Sequence, residues 1–235
     1  MKDMSSAFPL RFRVGFPYVA AGGPAAPAVE PVPPAVREAL QRLALALAGN
    51  LDKHGRKSVI FTSARMKEGT TTVMLALARE IRQCMNIRTL VVELNRLRPT
   101  FMSRFGLDPG RSVYAIAMHH LNVEDCIQED PSGLPMIPAG GDWRGSTVAQ
   151  ISDQILRRID GKFDLVLFDT PAILESADAV SAGTVVKNLV LVVKAGATSA
   201  DLISQVRRQA EINGMNIVGS VLTVPRHKLP RWLYR

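Results

Sequence analysis

One stretch of the sequence has the residue types of an anion cradle. Residues 58–80 read SVIFT, then SARMKEGTTT, then VMLALARE. A β-type run passes through a glycine-containing turn into a helical pattern, the setting in which free backbone N–H groups and a helix dipole face a phosphate. In the phosphate-loop pattern G-x-x-x-x-G-K-[ST], the lysine neutralises the phosphates and the hydroxyl ligates Mg²⁺. Aligned on Gly69, the chain has Ala64 in the first glycine place, Thr70 in the lysine place and Thr71 in the hydroxyl place. The candidate phosphate-binding residues are therefore Gly69, Thr70, Thr71 and Thr72, with Lys67 or Arg65 as the replacement cation inside the loop. A second apolar run, Leu165–Asp169, ends in an acid followed by Thr170 and Pro171. A strand-terminal aspartate in that place holds Mg²⁺ through water, so Thr71 and Asp169 are the candidate metal ligands.

These residues need a sheet to position them. Apolar β-type segments at Ser58–Thr62, Thr89–Glu93, Leu165–Asp169, Leu189–Val193 and Asn216–Leu222 alternate with helical patterns. The helices expected are Ala35–Ala48, Thr71–Cys84, Thr147–Ile159, Ala177–Val186 and Ala200–Ile212. In the first, Val36, Leu40, Leu43 and Leu47 recur at helical spacing and Gly49-Asn50 supplies a stop. Near-continuous apolar strands separated by amphipathic helices predict an α/β fold: a doubly wound, mainly parallel sheet with helices on both faces. Ligands then bind beyond the carboxyl ends of the strands.

The chain has 235 residues, 47% of them hydrophobic, and a formal charge of +8. Two cysteines, Cys84 and Cys126, cannot build a disulfide framework, and no Cys/His cluster has zinc spacing. No apolar run approaches the ~20 residues of a membrane span, and the N-terminus has no continuous apolar core of a signal peptide. Seven of the 15 prolines fall in the first 34 residues. We therefore expect three regions: residues 1–34 as a flexible Pro/Ala/Gly-rich tail, residues 35–224 as a P-loop-like α/β domain, and residues 225–235 as a basic-aromatic tail.

Two further segments give the chain a family likeness. They are VVELNRLRPTFMSRFGL (residues 91–107) and KFDLVLFDTPAILESADAVSAGTVVKNLVLVVKAGATS (residues 162–199). Together with the loop and with GLPMIPAGG (residues 133–141), they resemble the bacterial tyrosine autokinase family. Those are cytoplasmic ATPase modules paired with membrane proteins that set polysaccharide chain length and export. The resemblance runs from about Val36 to Val224. It implies a P-loop fold, ATP and Mg²⁺ as cofactors, an inner-membrane chain-length or co-polymerase protein as partner, and a homo-oligomer.

The chain departs from that family where phosphoryl transfer is done. The family loop SxxPGEGKST keeps Ser63, Glu68, Gly69 and Thr72 here, but Thr70 replaces its lysine and Thr71 its serine. In the family motif D-x-D-x-R the two aspartate places hold Glu93 and Asn95, and the arginine place holds Leu97. With Asp169, these are the catalytic positions the resemblance implies. Asn95 carries no proton-accepting carboxylate. The ring-forming motif E-x-x-R-x-x-R retains Glu38 but has Gln41 and Ala44 for its arginines. The C-terminus holds one tyrosine, Tyr234, in place of a cluster.

The expectation is a regulatory, pseudo-kinase-like subunit of surface-polysaccharide synthesis or export, at the inner face of the bacterial inner membrane. Weak or absent binding of ATP and Mg²⁺ goes with it. The competing readings are an active ATP-dependent tyrosine kinase and a positioning ATPase that binds membrane. Residues 226–235 carry four Arg/Lys with Trp232, Leu233 and Tyr234, which suits an anionic membrane surface. Nucleic acid is not expected as a partner, for lack of a stacking ladder or helix-turn-helix pattern. His119-His120 is read as an exposed helix-end pair and Cys84 as core packing. Asp178 is open between helix capping and catalysis.

Overall fold

The computed structural model describes residues 11–14, 34–54, 58–141, 143 and 147–224. Among them, strands β1 (Arg11–Val14), β2 (Ser58–Ser63), β3 (Thr89–Glu93), β4 (Gln128–Glu129), β5 (Pro135–Ile137), β6 (Leu165–Asp169), β7 (Asn188–Lys194) and β8 (Asn216–Thr223) make one sheet. Its order is β1-β8-β7-β2-β6-β3-β5-β4. All neighbours run parallel except β4 and β5. The helices are α1 (Pro34–His54), α2 (Thr70–Met85), α3 (Phe101–Phe105), α4 (Val113–His119), α5 (Val148–Arg158), α6 (Ala177–Val186) and α7 (Ala200–Ile212).

The period of two along each strand divides the core between the faces. On β2, Val59 and Phe61 enter the cluster under α1 and α2, while Ile60 enters the one under α4, α5 and α6. Strand β6 does the same with Leu165 and Leu167 against Val166 and Phe168. A third cluster packs Leu189, Leu191 and Val193 of β7 against Ile203, Val206 and Ala210 of α7. Val36, Leu40, Leu43 and Leu47 are all buried, as their spacing requires. Burying each such side chain contributes about 1.5–3 kcal/mol.

Several boundaries differ from those read off the sequence. Helix α1 starts on Pro34, whose fixed φ suits a first helical turn, and runs through Gly49-Asn50 to His54. One glycine costs only about 1 kcal/mol in a helix, too little to stop a run of leucine and alanine. Within the segment expected as a flexible tail, Arg11–Val14 pairs in parallel with β8 and covers what would be an open strand edge. The rest of residues 1–33, and the basic-aromatic residues 225–235, lie outside the described residues. The short elements β4, β5, α3 and α4 carry too few residues to show a period. Gly140 turns the chain after β5 with φ +81°, and a Cβ there would lie 2.7 Å from Cβ atoms of Ser112 and Tyr114. The PAGG run thus brings backbone against the start of α4 where no larger residue fits.

Cys84 is exposed, contrary to the expected core position. Its thiol lies 3.4 Å from Gln41 Nε2 and 3.5 Å from Glu80 Oε2, at the rim of the α1–α2 contact. His119 ends α4 and His120 caps it in the left-handed region, both exposed, as read from the sequence.

Candidate functional site

The carboxyl ends of β2, β3, β6, β7 and β8 lie on one edge of the sheet, and the candidate residues cluster there. Strand β2 ends at Ser63 and α2 begins at Thr70, with Gly69 rather than a threonine as its cap. The loop between them needs two left-handed residues, Lys67 at φ +64° and Gly69 at φ +94°. The lysine therefore occupies a conformation that favours glycine, and the family pattern has glycine in that place. Lys67 is exposed and Thr70 is buried at the start of the helix. Arg65, the other cation expected in the loop, is exposed as well.

The loop is tied down on both sides. Thr62 Oγ1 donates to the Pro171 carbonyl at 2.7 Å, and Ile173 N–H to the Ser63 carbonyl at 2.9 Å. Met66 N–H donates to Glu175 Oε2 at 3.1 Å. From the other side, Thr223 Oγ1 donates to the Glu68 carbonyl at 3.0 Å and Thr198 Oγ1 to Glu68 Oε1 at 2.6 Å. Glu68 is only 5% exposed, and its second oxygen is buried without a partner. Burial raises its proton affinity, against the hydrogen bonds that favour the carboxylate. None of Glu175, Thr198 or Thr223 could be found from the sequence, because each meets the loop from more than 100 residues away.

The candidate metal ligands do meet. Thr71 Oγ1 donates to Asp169 Oδ2 at 2.7 Å. Asp169 is 1% exposed, and its Oδ1 is buried without a partner. Burial pushes its pKa up to about 8; the Thr71 hydroxyl works against this and the neighbouring Glu93 adds to it. Glu93 and Asp169 are register partners on β3 and β6. A hydroxyl and a buried orphan carboxylate oxygen fit Mg²⁺, which takes oxygen ligands and completes its shell with water and phosphate. Among the described residues no group of three His, Cys, Asp or Glu is placed to hold a metal alone. Thr71 and Asp169 would hold a magnesium ion that a nucleotide brings with it, and the ion would supply charge neutralisation for the phosphates.

The other two expected catalytic residues are engaged elsewhere. Glu93 accepts from Thr100 N–H at 2.5 Å, Thr100 Oγ1 at 3.2 Å and Phe101 N–H at 3.1 Å on one oxygen, and from Ala139 N–H at 3.1 Å on the other. It binds the start of α3 to the end of β5. Burial raises its proton affinity and these donors oppose that rise. The side chain of Asn95 accepts the Arg98 N–H at 3.2 Å and so closes a local turn. Asp178, left open between two roles, does not cap α6: Ser176 does, and Arg96 grips Asp178 through two bonds at 3.0 and 2.9 Å. Arg96 also lies 5.1 Å over the buried Trp143 ring. Thr72 sits half-buried on α2, one residue past the metal-ligand hydroxyl.

No protein-family model matches the chain. In sequence it is similar to the tyrosine-protein kinase YwqD of Bacillus subtilis, 24% identical over 170 residues that make 71% of each protein. In fold it is similar to the kinase domain of the Escherichia coli tyrosine kinase ETK, with a TM-score of 0.76, 20% identity, and coverage of 94% of this chain and 93% of that one. The Pyrococcus furiosus cell division ATPase MinD shares the fold at TM-score 0.61 and 23% identity, over 71% of each chain. These likenesses bear out the resemblance to a bacterial tyrosine autokinase ATPase domain and the P-loop NTPase-like fold. No helix among the described residues is long and apolar enough to cross a membrane.

Proposed function

We propose that this relative of bacterial tyrosine kinase domains is a regulatory, pseudo-kinase-like subunit of a surface-polysaccharide synthesis or export system. It acts at the cytoplasmic face of the inner membrane, on a chain-length or co-polymerase protein. The observation that carries the reading is the occupancy of its would-be catalytic groups. Glu93 spends both oxygens on structural donors, Asn95 closes a turn, and Thr70 leaves the phosphates without a lysine. Phosphoryl transfer relies on positioned cations and on a base that accepts the hydroxyl proton. Losing one preorganised donor of this kind costs on the order of 10²–10³ in rate. Here two such contributions are missing together, while the framework around Thr71 and Asp169 persists.

Weak Mg²⁺–nucleotide binding through backbone N–H groups, Thr71 and Asp169 is compatible with such a role. The test is genetic. Deleting the gene lowers surface polysaccharide, and a copy with Asp169→Asn restores it, because chemistry at Asp169 is not required. Failure of that copy to restore polysaccharide, with the protein present at normal level, would contradict the reading. The active-kinase reading draws on one feature, the exposed Lys67 inside the loop. It predicts phosphotransfer that Lys67→Ala abolishes.

A further inference from the structure

Two arginines meet beside one acid where α2, α3 and the turn from β4 to β5 come together. Asp130, buried in that turn, accepts from Arg79 on one oxygen. Its other oxygen accepts from the Ser132 N–H, the Ser132 hydroxyl and the Leu134 N–H. Four donors match the roughly four acceptor sites of a carboxylate, so Asp130 has none to spare. Arg104 of α3 reaches the same place: its guanidinium carbon lies 5.4 Å from the centre of the Phe105 ring, and that of Arg79 lies 5.7 Å from it. Arg104 is half-buried, and among the described residues its guanidinium bonds no acid and no carbonyl. Burial and the nearby Arg79 both disfavour its charge, and Asp130 offsets them only in part. Two guanidiniums against one engaged carboxylate leave one unit of positive charge and one free planar fork. A single carboxylate complements both. Met102 and Phe105, half-buried beside the fork, present apolar surface to the residues that flank such an acid in a polypeptide.

We propose that Arg104, backed by Arg79 and Phe105, is a docking site for an acidic side chain of a protein partner. The site stands apart from the phosphate loop, since α2 advances about 13 Å from Thr70 to Arg79. It holds whether or not that loop takes nucleotide. A guanidinium that braces the fold makes the chain less stable when removed. One that waits for a partner does not, because an uncompensated charge stabilises nothing in the unbound chain.

NMR titration of the full chain with a capped tetraglutamate peptide, at fixed ionic strength, reads the site directly. The Arg104 Nε–H resonance is expected to shift and saturate. Arg104→Met keeps apolar packing against Phe105 and removes the charge. It should weaken the peptide about tenfold or more, followed at the Phe105 and Gly106 amides, as loss of a hydrogen bond to a charged group does. Arg208→Met, an exposed position on α7 toward the other end of the sheet, removes the same charge and should leave affinity unchanged. In urea, Arg104→Met should have a midpoint at or above that of the natural chain. No shift at Arg104, or an equal loss of affinity in Arg208→Met, overturns the proposal. A lower midpoint for Arg104→Met overturns it too, by making Arg104 a brace of the fold. Tighter binding of inorganic phosphate than of the peptide at the same resonance replaces the acidic side chain with a phosphorylated ligand. None of these outcomes alters the reading of Thr70 and Asp169, which phosphotransfer tests separately.

Discussion

Thr71 and Asp169 are bonded to each other across 98 residues of sequence, hydroxyl to carboxylate at 2.7 Å, and the free oxygen of the aspartate is sealed from solvent. Asp169 is enclosed at the end of its strand, and burial disfavours its charged form. Its pKa of about 8 against an ordinary 3.8 makes it more willing to bind a proton folded than unfolded.

That difference has a sign that can be checked. Below pH 3.8 both states carry the proton and the stabilising contribution of Asp169 is complete. Between that pH and about 8 the unfolded chain releases the proton while the native one keeps it, so stability falls as pH rises and levels off above. The loss is on the order of a few kcal/mol. Glu93 and Glu68 shift in the same direction and add to the slope. Asp169→Asn keeps an acceptor for Thr71 and cannot ionise. Its urea midpoint should therefore change less between pH 5 and 8 than that of the natural chain, and should be the higher of the two at pH 8. Parallel curves for the two proteins would contradict the protonated aspartate.

Glu93 is expected to matter for stability. Glu93→Ala leaves the amides of Thr100, Phe101 and Ala139 without their acceptor in a buried site. Each unsatisfied donor costs about 1–3 kcal/mol, so the variant should lose on the order of 3 kcal/mol or more in denaturant unfolding. Glu93→Gln should lose less, since one acceptor remains. A Glu93→Ala protein as stable as the natural chain would return this residue to the list of catalytic candidates.

A second buried acid holds the far end of α2. Asp130 is fully buried, ion-paired with Arg79, and accepts the backbone N–H groups of Ser132 and Leu134. Burial alone would raise its pKa, but the hydrogen bonds from Ser132 and Arg79 outweigh it and hold the carboxyl below its ordinary value. Asp130→Ala strands Arg79, which is itself largely buried, and should cost about 3–5 kcal/mol. Arg79→Met, which fills the same space without charge but leaves Asp130 behind, should cost a similar amount. The double substitution should cost less than the sum of the two, and strict additivity would rule out the pair as the stabilising unit.

The sheet was largely legible because buried parallel strands are written as continuous apolar runs. Thr89–Glu93, Leu165–Asp169, Ala177–Val186 and Ala200–Ile212 have the bounds read from the sequence. The site was legible in part. The meeting of Thr71 with Asp169 follows from where a loop and a strand end must lie in such a sheet. That Glu93 would be consumed by the start of α3 does not follow, because the Thr100 and Phe101 amides that claim it carry no side-chain signature. The same holds for Met66, whose backbone donor is indifferent to its side chain. Cys84 misled because a helix face can be apolar in pattern and still end at the rim of its partner helix. Hydrogen bonds made by backbone groups escape pattern reading, whether the donor is seven residues away, as Thr100 is from Glu93, or 109, as Met66 is from Glu175, and at this site they decide which acids are free.

With Thr70 in the lysine place the loop has no cation where phosphoryl transfer requires one, and phosphotransfer is the most direct measure of that deficit. The purified full chain is incubated with labelled ATP and Mg²⁺ beside a Thr70→Lys variant, and label is followed in protein and in released phosphate. We predict no transfer or hydrolysis above background by the natural chain, and tighter nucleotide binding by Thr70→Lys. Sustained turnover by the natural chain, abolished by Asp169→Asn, would contradict the account.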